Sequence, residues 1–531
     1  MKTPILQRLP LGFSTFSTIR NEGYLYVDKT EHIYNLITQG GRYFMSRPRR
    51  FGKSLLVSTL KEILESNKPL FKDLWIEKSD YPWHKHGILV LDFSAIKATS
   101  PDILSRGICT LLQNIANDYA LELTLDIENA EDAVRALVLA LHKQFGRMAV
   151  LIDEYDSPIL KNLDKTERAN EIINSMRSFF AVIKSLDKYI NFVFITGVSS
   201  FAKAGVFSGL NNLEIMTLDK QWATICGYTD QEVDHYFAPH IQAWADKQKI
   251  SYDALRMQIK YWYNGYHFSV DAMSVSNPFS LMCALKTQEF ENFWIQSGAP
   301  SFLIQELKKE YRTIERPMLN LESFDITASA LGTFDAGSTP LIALLFQTGY
   351  LTITNFNRDN RSYQLGYPNY EVRTAAQQYF LSVFIDTNSA QTEQFTLKIW
   401  SALNKKNIAE AVALIKSIFV RVTYHEHLTE EAFYHGLLQV LFGAAGINAS
   451  SEIATSHGRI DMVLELPALI YIIEIKLNAT AEKALKQIQE QQYYEALCYK
   501  NKPIVLLGLN FNRKPKKFDL TYASKELDKQ T

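Results

Sequence analysis

The sequence predicts an α/β protein, with a parallel sheet near its N-terminus and a second, smaller α/β unit near its C-terminus. In residues 1–219, short apolar runs alternate with helical patterns, as is typical of such sheets. A Gly-Lys-Ser sequence stands between the first of these runs and a helical pattern. In the last part of the chain, residues 425–531, the patterns follow the order helix, three strands, helix, strand.

Four apolar runs are predicted to form the parallel strands of the N-terminal domain, because each is short, β-branched or aromatic, and nearly continuous in apolar residues. These runs are residues 41–46, 87–94, 147–153 and 191–197. Helical patterns such as 53–65 and 168–186 lie between them. The alternation predicts one α/β domain over residues 1–219.

The middle of the chain has a different pattern. Residues 220–332 are mainly helical and rich in aromatic side chains, which predicts a helical lid region. Beyond it, 341–348 is predicted as a helix, and 350–355 and 362–366 as two strands of a hairpin. Helix plus hairpin suggests a winged-helix-like module, followed by a helical connector, over residues 333–424.

The C-terminal residues 425–531 are predicted to form a separate αβββαβ domain. Its helices are predicted at 431–443 and 479–499. Its four strands are predicted at 448–454, 459–465, 470–476 and 503–509.

Composition excludes few classes of function. Hydrophobic residues make up 47% and charged residues 21%, which is ordinary for folded soluble protein. The 56 Lys and Arg nearly balance the 57 Asp and Glu, so any nucleic-acid surface must be a local patch. The first residues lack the long apolar stretch of a secretion signal, no apolar run is long enough for a membrane span, and there is no Cys-x-x-Cys pair. We therefore expect a cytoplasmic protein with no membrane partner.

The Gly-Lys-Ser sequence predicts a phosphate-binding loop. Such a loop offers backbone N–H groups at a helix N-terminus, a Lys for the β- and γ-phosphates and a Ser hydroxyl for Mg²⁺. Gly52, Lys53 and Ser54 supply these groups. Arg47 replaces the first glycine of the general pattern. The alternative is a basic surface turn without a ligand.

The run 148–153 ends in Asp153-Glu154, which predicts the acidic strand of the same ATP site. Asp153 would hold Mg²⁺ through water, and Glu154 would polarise the attacking water. The alternative is a buried strand that ends in solvated acids. The position of this run after the loop, with the strand 87–94 between them, favours the ATP site.

A second constellation lies in the C-terminal domain. Alternate residues of a strand share a face, so Glu474 and Lys476 point the same way. A short hairpin brings Asp461 of the preceding strand opposite them. Mg²⁺ between Asp461 and Glu474 would relieve their repulsion and supply a Lewis acid for phosphodiester cleavage, while Lys476 orients or deprotonates water. The alternative is a surface ion-pair ladder. Glu452 is a candidate third carboxylate.

The chain resembles the AAA-ATPase-like proteins with a C-terminal PD-(D/E)XK nuclease domain that occur in bacteria and their mobile elements. The matching stretches are residues 26–30, 46–54, 153–156, 195–199, 207–212, 263–266, 367–373, 458–461 and 472–476.

The resemblance implies that Arg47 is normal in this family, that Ser199 is the sensor of the γ-phosphate, and that Gln487 and Tyr493 line the nuclease cleft. For Arg49 and Arg50 three interpretations stay open: phosphate ligands, contacts to a neighbouring subunit, or a solvated basic turn. The alternative for Gln487 and Tyr493 is that they are ordinary polar positions of an amphipathic helix, without a role in the cleft.

These observations lead to the hypothesis of a P-loop ATPase joined to a restriction-endonuclease-like nuclease. The expected cofactors are ATP and Mg²⁺, and the expected substrate is nucleic acid, with DNA favoured over RNA. The rival is a regulatory or nucleic-acid-binding ATPase whose nuclease-like domain does not cut. A toxin controlled by its ATPase is a third hypothesis. Assembly into a homo-oligomer is left open.

Overall fold

The computed structural model describes residues 6–163, 165–200, 205–296, 323–331, 341–385, 387–421, 431–455, 458–514 and 517–527. They form two compact units. The first comprises the described parts of Met1–Glu306 together with Ser323–Glu371, and the second comprises the described part of Val372–Thr531.

The first unit is built on a parallel five-stranded sheet in the order β2-β3-β4-β1-β5. The four predicted strands are present, and β4 lies between the strand that leads into the phosphate loop and the strand that ends in Asp153. Strand β2 ends earlier than predicted, because the side chain of Asp92 accepts a hydrogen bond from Ser94 N–H and starts a 3-10 turn. The strands are β1 Gly41–Ser46, β2 Gly87–Asp92, β3 Met148–Asp153, β4 Phe192–Gly197 and β5 Glu214–Ile215.

Seven helices accompany this sheet in the described residues. The third begins directly after the phosphate loop, where Gly52 takes the left-handed conformation (φ 90°) that an L side chain rarely adopts. The fifth has Asn129 as its N-cap and ends at Gly146. The helices are α1 Phe16–Asn21, α2 Thr30–Gln39, α3 Lys53–Leu64, α4 Pro101–Asp118, α5 Ala130–Phe145, α6 Ser157–Leu160 and α7 Thr166–Ser185.

The lid region is mainly helical where it is described, as predicted. Its helices share an apolar core with Leu25 and Val27 from the start of the chain. A capping box formed by Thr229 and Glu232 starts its first helix. The elements are β6 Tyr228–Thr229, α8 Asp230–Tyr236, α9 Ala238–Gln248, α10 Tyr252–Tyr263, β7 Val275–Ser276, α11 Pro278–Thr287 and α12 Phe293–Gln296.

The winged-helix-like segment has the predicted helix and hairpin and, in addition, a strand that the sequence did not indicate. The elements are β8 Phe324–Thr327, α13 Ala328–Leu331, α14 Leu341–Thr348, β9 Thr352–Asn357 and β10 Ser362–Gly366. The strands form an antiparallel sheet in the order β8-β10-β9. All residues of α14 are buried. A helix that reads DNA must present side chains to a groove, so α14 is not available for that role in this structure.

The predicted connector is instead part of the second unit, beyond Val372. Its helices pack against the C-terminal sheet: Tyr471 O–H donates to Leu403 O over 2.8 Å, and the Phe419 ring lies 4.9 Å from that of Phe511. An amphipathic pattern shows that a helix packs against another element but does not identify that element. The sequence analysis therefore placed these helices outside the C-terminal domain. The helices are α15 Tyr370–Phe384, α16 Ser389–Asn404, α17 Ile408–Arg421 and α18 Glu431–Ala444.

The C-terminal sheet has five strands in the order β11-β12-β13-β14-β15, of which β13 and β14 are parallel and the other pairs antiparallel. The αβββαβ order is present, but a fifth strand follows it. The predicted long helix ends at Glu490, because Gln492 takes a left-handed conformation (φ 49°) before a 3-10 helix begins. The elements are β11 Asn448–Thr455, β12 Gly458–Glu465, β13 Ile470–Leu477, α19 Ala481–Glu490, β14 Ile504–Lys514 and β15 Lys517–Leu527.

Within the part of the chain that the structure describes, no helix combines the length and the apolar character that crossing a bilayer requires.

Candidate active sites

A cavity of about 450 Å³ opens where β1 ends and α3 begins. Six of the residues predicted for the ATP site line it, and they provide both the loop N–H groups and the acidic group that the sequence predicted. These residues are Arg49, Arg50, Gly52, Lys53, Ser54 and Glu154. Its size is that of a small-molecule site.

Lys53 is the central cation of this site. Its side chain is buried, and Nζ donates to Pro48 O over 3.0 Å. Burial lowers the pKa of Lys53, and the charges of Asp153, Glu154 and Asp156 partly restore it. The ammonium is therefore bonded to a carbonyl of its own loop and feels the charge of three carboxylates, and Lys53 lines the cavity.

Asp153 and Ser54, the two predicted Mg²⁺ ligands of the ATP site, lie in contact. Burial raises the pKa of Asp153, while a hydrogen bond from Ser54 and the charge of Lys53 lower it. A hydroxyl and a carboxylate side by side match the oxygen ligands that Mg²⁺ takes beside phosphates. The residues present therefore fit the predicted cation.

Glu154 lines the cavity in a strained backbone conformation, with φ 46°. Its N–H donates to Asp153 Oδ1 over 2.9 Å. Non-glycine residues adopt this region only when their surroundings impose it, and such residues concentrate at functional sites. The conformation is consistent with the predicted role of Glu154.

Ser199 is not among the residues that line the cavity. Its hydroxyl and its N–H each donate to Asp156 Oδ2 over 2.7 Å, and both side chains are buried. Burial raises the pKa of Asp156. No role was predicted for Asp156, because nothing in a run of acidic residues indicates which one is buried. The sensor assignment of Ser199 remains a prediction.

Arg47, which stands where the general loop pattern has glycine, anchors the start of the loop. Its guanidinium donates to Ser46 O, Thr217 O and Trp222 O over 2.8–3.1 Å and lies 4.1 Å from the centre of the Phe268 ring. Burial lowers its pKa to about 10. The departure from glycine therefore has a structural reason within this fold.

The remaining loop residues also contact the lid region. The exposed Arg50 guanidinium lies 4.7 Å from the centre of the Phe279 ring, and the Phe51 ring lies 4.7 Å from that of Tyr266. Arg49 O accepts a hydrogen bond from Trp294 Nε1 over 3.3 Å. Whether Arg49 and Arg50 bind phosphate remains a prediction.

Sequence reasoning missed the apolar wall of the cavity. Phe13, Leu25, Val27, Tyr228 and Met282 line the cavity together with the loop. A flat apolar base would fit such a wall. The residues come from three distant segments, and apart from the family-like stretch 26–30 they carry no local pattern.

The C-terminal site brings together the three residues predicted for it. Strands β12 and β13 pair with Met462 opposite Ile473, so Asp461 reaches the level of Glu474. Ile475 N–H donates to Asp461 Oδ2 over 2.8 Å, and Lys476 Nζ donates to Glu474 Oε1 over 2.8 Å. The hairpin geometry that the sequence predicted is present.

Glu474 is almost fully buried. Its pKa is raised to about 7, mainly by burial and also by the charge of Asp461, although the hydrogen bond from Lys476 lowers it. Its Oε2 is buried and has no hydrogen-bond partner. An orphaned carboxylate oxygen beside a second carboxylate fits a divalent cation, which would satisfy both.

Helix α18 adds two residues that the sequence analysis missed, Glu431 and His435. Their ligand atoms and those of Asp461 all lie within 4.8 Å of one another. His435 Nε2 is 3.6 Å from Asp461 Oδ2 and 4.0 Å from Glu431 Oε1. Glu431 and His435 are four residues apart, so their predicted helix places them on one face. The sequence does not indicate, however, that this face lies against Asp461.

Three other candidates belong to this domain. The buried Tyr493 hydroxyl lies against Gly458, 3.1 Å from where a Cβ of that residue would be. Gln487 is half-buried on α19. Glu452 lies on β11, and its side chain is outside the described residues.

Comparisons with known proteins identify both domains. The family described as "Predicted AAA-ATPase" matches residues 10–207, and the "PD-(D/E)XK nuclease superfamily" matches residues 429–519. The "Uncharacterized protein in vnfD 5'region" of Azotobacter chroococcum mcd 1 is 34% identical over 519 residues, covering 96% of this chain and 97% of that protein.

Among solved structures, the Aeropyrum pernix ORC2 protein (ADPNP-ADP complexes) is 10% identical, with 67% of this chain and 92% of that chain covered and a TM-score of 0.30. The A. pernix ORC1 protein in complex with DNA is 11% identical, with 66% and 91% covered and a TM-score of 0.24. Likenesses of this extent say nothing about the ligands of this chain.

Fold, sites and matches together define an ATPase-like domain followed by a PD-(D/E)XK nuclease-like domain. The chain belongs to the same protein family as the uncharacterized Azotobacter protein.

Proposed function

We propose that the protein binds and hydrolyses ATP and that its C-terminal domain cleaves nucleic acid, with DNA as the substrate. The observation that carries the proposal is the buried Glu474 carboxylate, which lies beside Asp461 and Lys476 and has one oxygen without a hydrogen-bond partner. A buried acid in such a site costs stability unless a cation or proton satisfies it.

In this proposal Asp461 and Glu474 would hold a divalent cation, and His435 and Glu431, whose ligand atoms lie within 4.8 Å of that of Asp461, would be further ligands. A bound Mg²⁺ would supply the Lewis acid that phosphodiester cleavage requires. Lys476, which donates to Glu474, is placed to orient water or to stabilise the charge that develops on phosphate oxygens. These roles extend the three predicted residues to five.

At the other site, Lys53 and the loop N–H groups would hold the phosphates of ATP, and Ser54 with Asp153 would hold its Mg²⁺. Glu154 would act as the base for hydrolysis. We propose that ATP binding or turnover controls cleavage. A cytoplasmic location agrees with four cysteines that are all free thiols.

The test is a plasmid-nicking assay with the full chain, with and without Mg²⁺ and ATP, beside a binding titration. We expect nicking that requires Mg²⁺ and disappears in Glu474→Gln. The Glu490→Gln variant is the control, because Glu490 is an exposed acid that pairs with Lys486. DNA binding without cleavage, in Mg²⁺ or Mn²⁺ and on every form of DNA, would favour the non-cutting rival instead.

A further inference from the structure

Helix α14 ends beside the phosphate loop, and one of its buried side chains holds the backbone that follows β4. We propose that Gln347 is a positioning residue for ATP hydrolysis, through its bond to Ser200. The inference rests on the proposed ATPase function and adds to it a residue that lies far from the phosphate loop in the sequence.

The Gln347 amide is fixed at both of its ends. Its Oε1 accepts from Ser200 N–H over 2.9 Å, and its Nε2 donates to Leu331 O over 3.3 Å. The side chain is 5% exposed. A buried amide with both ends bonded has one orientation, so it fixes the position of the Ser200 backbone.

Ser200 follows directly on Ser199, which donates to Asp156 through both its hydroxyl and its N–H. The charge of Asp156 acts on Lys53. At the start of this segment, Arg47 N–H donates to Gly197 O over 3.1 Å. The segment that Gln347 holds is therefore bonded to the start of the phosphate loop and is linked through Asp156 to Lys53.

A second contact leads from the same helix end back to the loop. Gly349 has φ 93°, and a Cβ there would lie 2.6 Å from Pro48 Cβ, so the backbone after α14 lies directly against Pro48. Pro48 O is the acceptor for Lys53 Nζ. The end of α14 thus reaches Lys53 from two sides, through Ser200 and through Pro48.

This arrangement predicts which step depends on Gln347. In the proposed ATP site Lys53 would face the terminal phosphate, and the segment after β4 is linked to Lys53 through Asp156. The apolar wall around Leu25 and Met282 would instead contact the base. Loss of the Gln347–Ser200 bond should therefore loosen the alignment needed for hydrolysis and leave the binding of a diphosphate intact. The full burial of α14 fits this role.

The experiment compares Gln347→Met with Thr348→Val in the full chain. Thr348 is an adjacent buried residue whose hydroxyl donates to Leu344 O of its own helix, so its replacement removes a buried polar group without touching Ser200. We expect Gln347→Met to lower kcat at least about tenfold with ADP affinity within about twofold of wild type. Thr348→Val should leave kcat within about twofold of wild type.

Gln347→Glu keeps an acceptor for Ser200 N–H and should recover part of kcat, which a merely structural role would not predict. Should Gln347→Met fail to fold, Gln347→Asn shortens the reach to Ser200 and takes its place with the same expectations. Equal kcat values in the Gln347 and Thr348 variants would overturn the inference.

The failure of the proposed function gives a different result. A wild-type protein that binds ATP without hydrolysing it contradicts the ATPase proposal. The affinity ratio of ATPγS to ADP then decides the role of Gln347: a fall of at least about tenfold in Gln347→Met alone supports it, and an unchanged ratio refutes it.

Discussion

Glu371 offers a quantitative test of the packing in the first unit. It is fully buried, and its Oε1 accepts hydrogen bonds from Ser280 O–H over 3.0 Å and from Trp294 N–H over 2.7 Å. These donors start or adjoin α11 and α12, so the carboxyl joins the beginnings of two helices. Burial raises its pKa from 4.5 to about 8, although the hydrogen bonds lower it.

The raised pKa determines how stability depends on pH. Between about pH 4.5 and 8 the folded protein keeps the Glu371 proton that the unfolded chain loses. The contribution is therefore complete at lower pH and is lost as pH rises toward 8. At about 1.4 kcal/mol for each pKa unit, the free energy of unfolding should fall by on the order of 3 kcal/mol between about pH 5 and pH 8.

Glu371→Gln should remove this dependence, because glutamine keeps an acceptor for Ser280 and Trp294 and cannot ionise. The assay is urea unfolding from pH 5 to 8, followed by tryptophan fluorescence, since every tryptophan except Trp400 precedes Glu371. Glu289→Gln, at an exposed glutamate of the same unit, is the control and should parallel wild type. If the Glu371→Gln curve also parallels wild type, the carboxyl is not a buried neutral acid and the reasoning is refuted.

Three further predictions concern the sites. Lys53→Ala should abolish ATP binding in a nucleotide titration, whereas Glu154→Gln should keep binding and slow hydrolysis by at least about a hundredfold; normal turnover in Lys53→Ala would contradict the loop assignment. His435→Ala should weaken metal binding about tenfold or more in calorimetry, and an unchanged affinity would remove His435 from the site. Lys476→Ala should leave metal affinity intact and lower DNA cleavage at least about a hundredfold; wild-type cutting would exclude this lysine from the chemistry.

Much of the fold could be predicted because its signals are local. Strand β1 and the hairpin strand β10 have the predicted bounds, since apolar runs ended by turn residues determine both. The Asp461–Glu474–Lys476 cluster followed from strand alternation and one short hairpin. In these cases the relevant partners lie within a few residues of each other along the chain or on adjacent strands.

What could not be predicted depends on partners that are distant in the sequence. To predict Glu431 and His435 as site residues, one must know how α18 is positioned on the sheet. To predict the burial of Arg47, one must know that Thr217, Trp222 and Phe268 surround it. The break at Gln492 is marked by neither a glycine nor a proline, so no local signal indicates it. Strand β8 contains Asp325 and is short, so its pairing with β10 decides its structure more than its own propensity does.

The contacts around the phosphate loop also bear on how this protein is synthesised. Pro48 is packed against Gly349, about 300 residues later, and neighbouring loop residues are packed against the segment between Tyr266 and Trp294. At roughly 5–20 residues per second, a ribosome needs about 15 to 60 seconds to supply this packing after the loop has emerged. During that interval the nascent chain contains the complete Gly-Lys-Ser sequence without the full set of contacts that surround the loop in the folded protein. The packing of the loop can therefore be completed only in chains whose translation has passed Gly349, before the nuclease-like domain is complete.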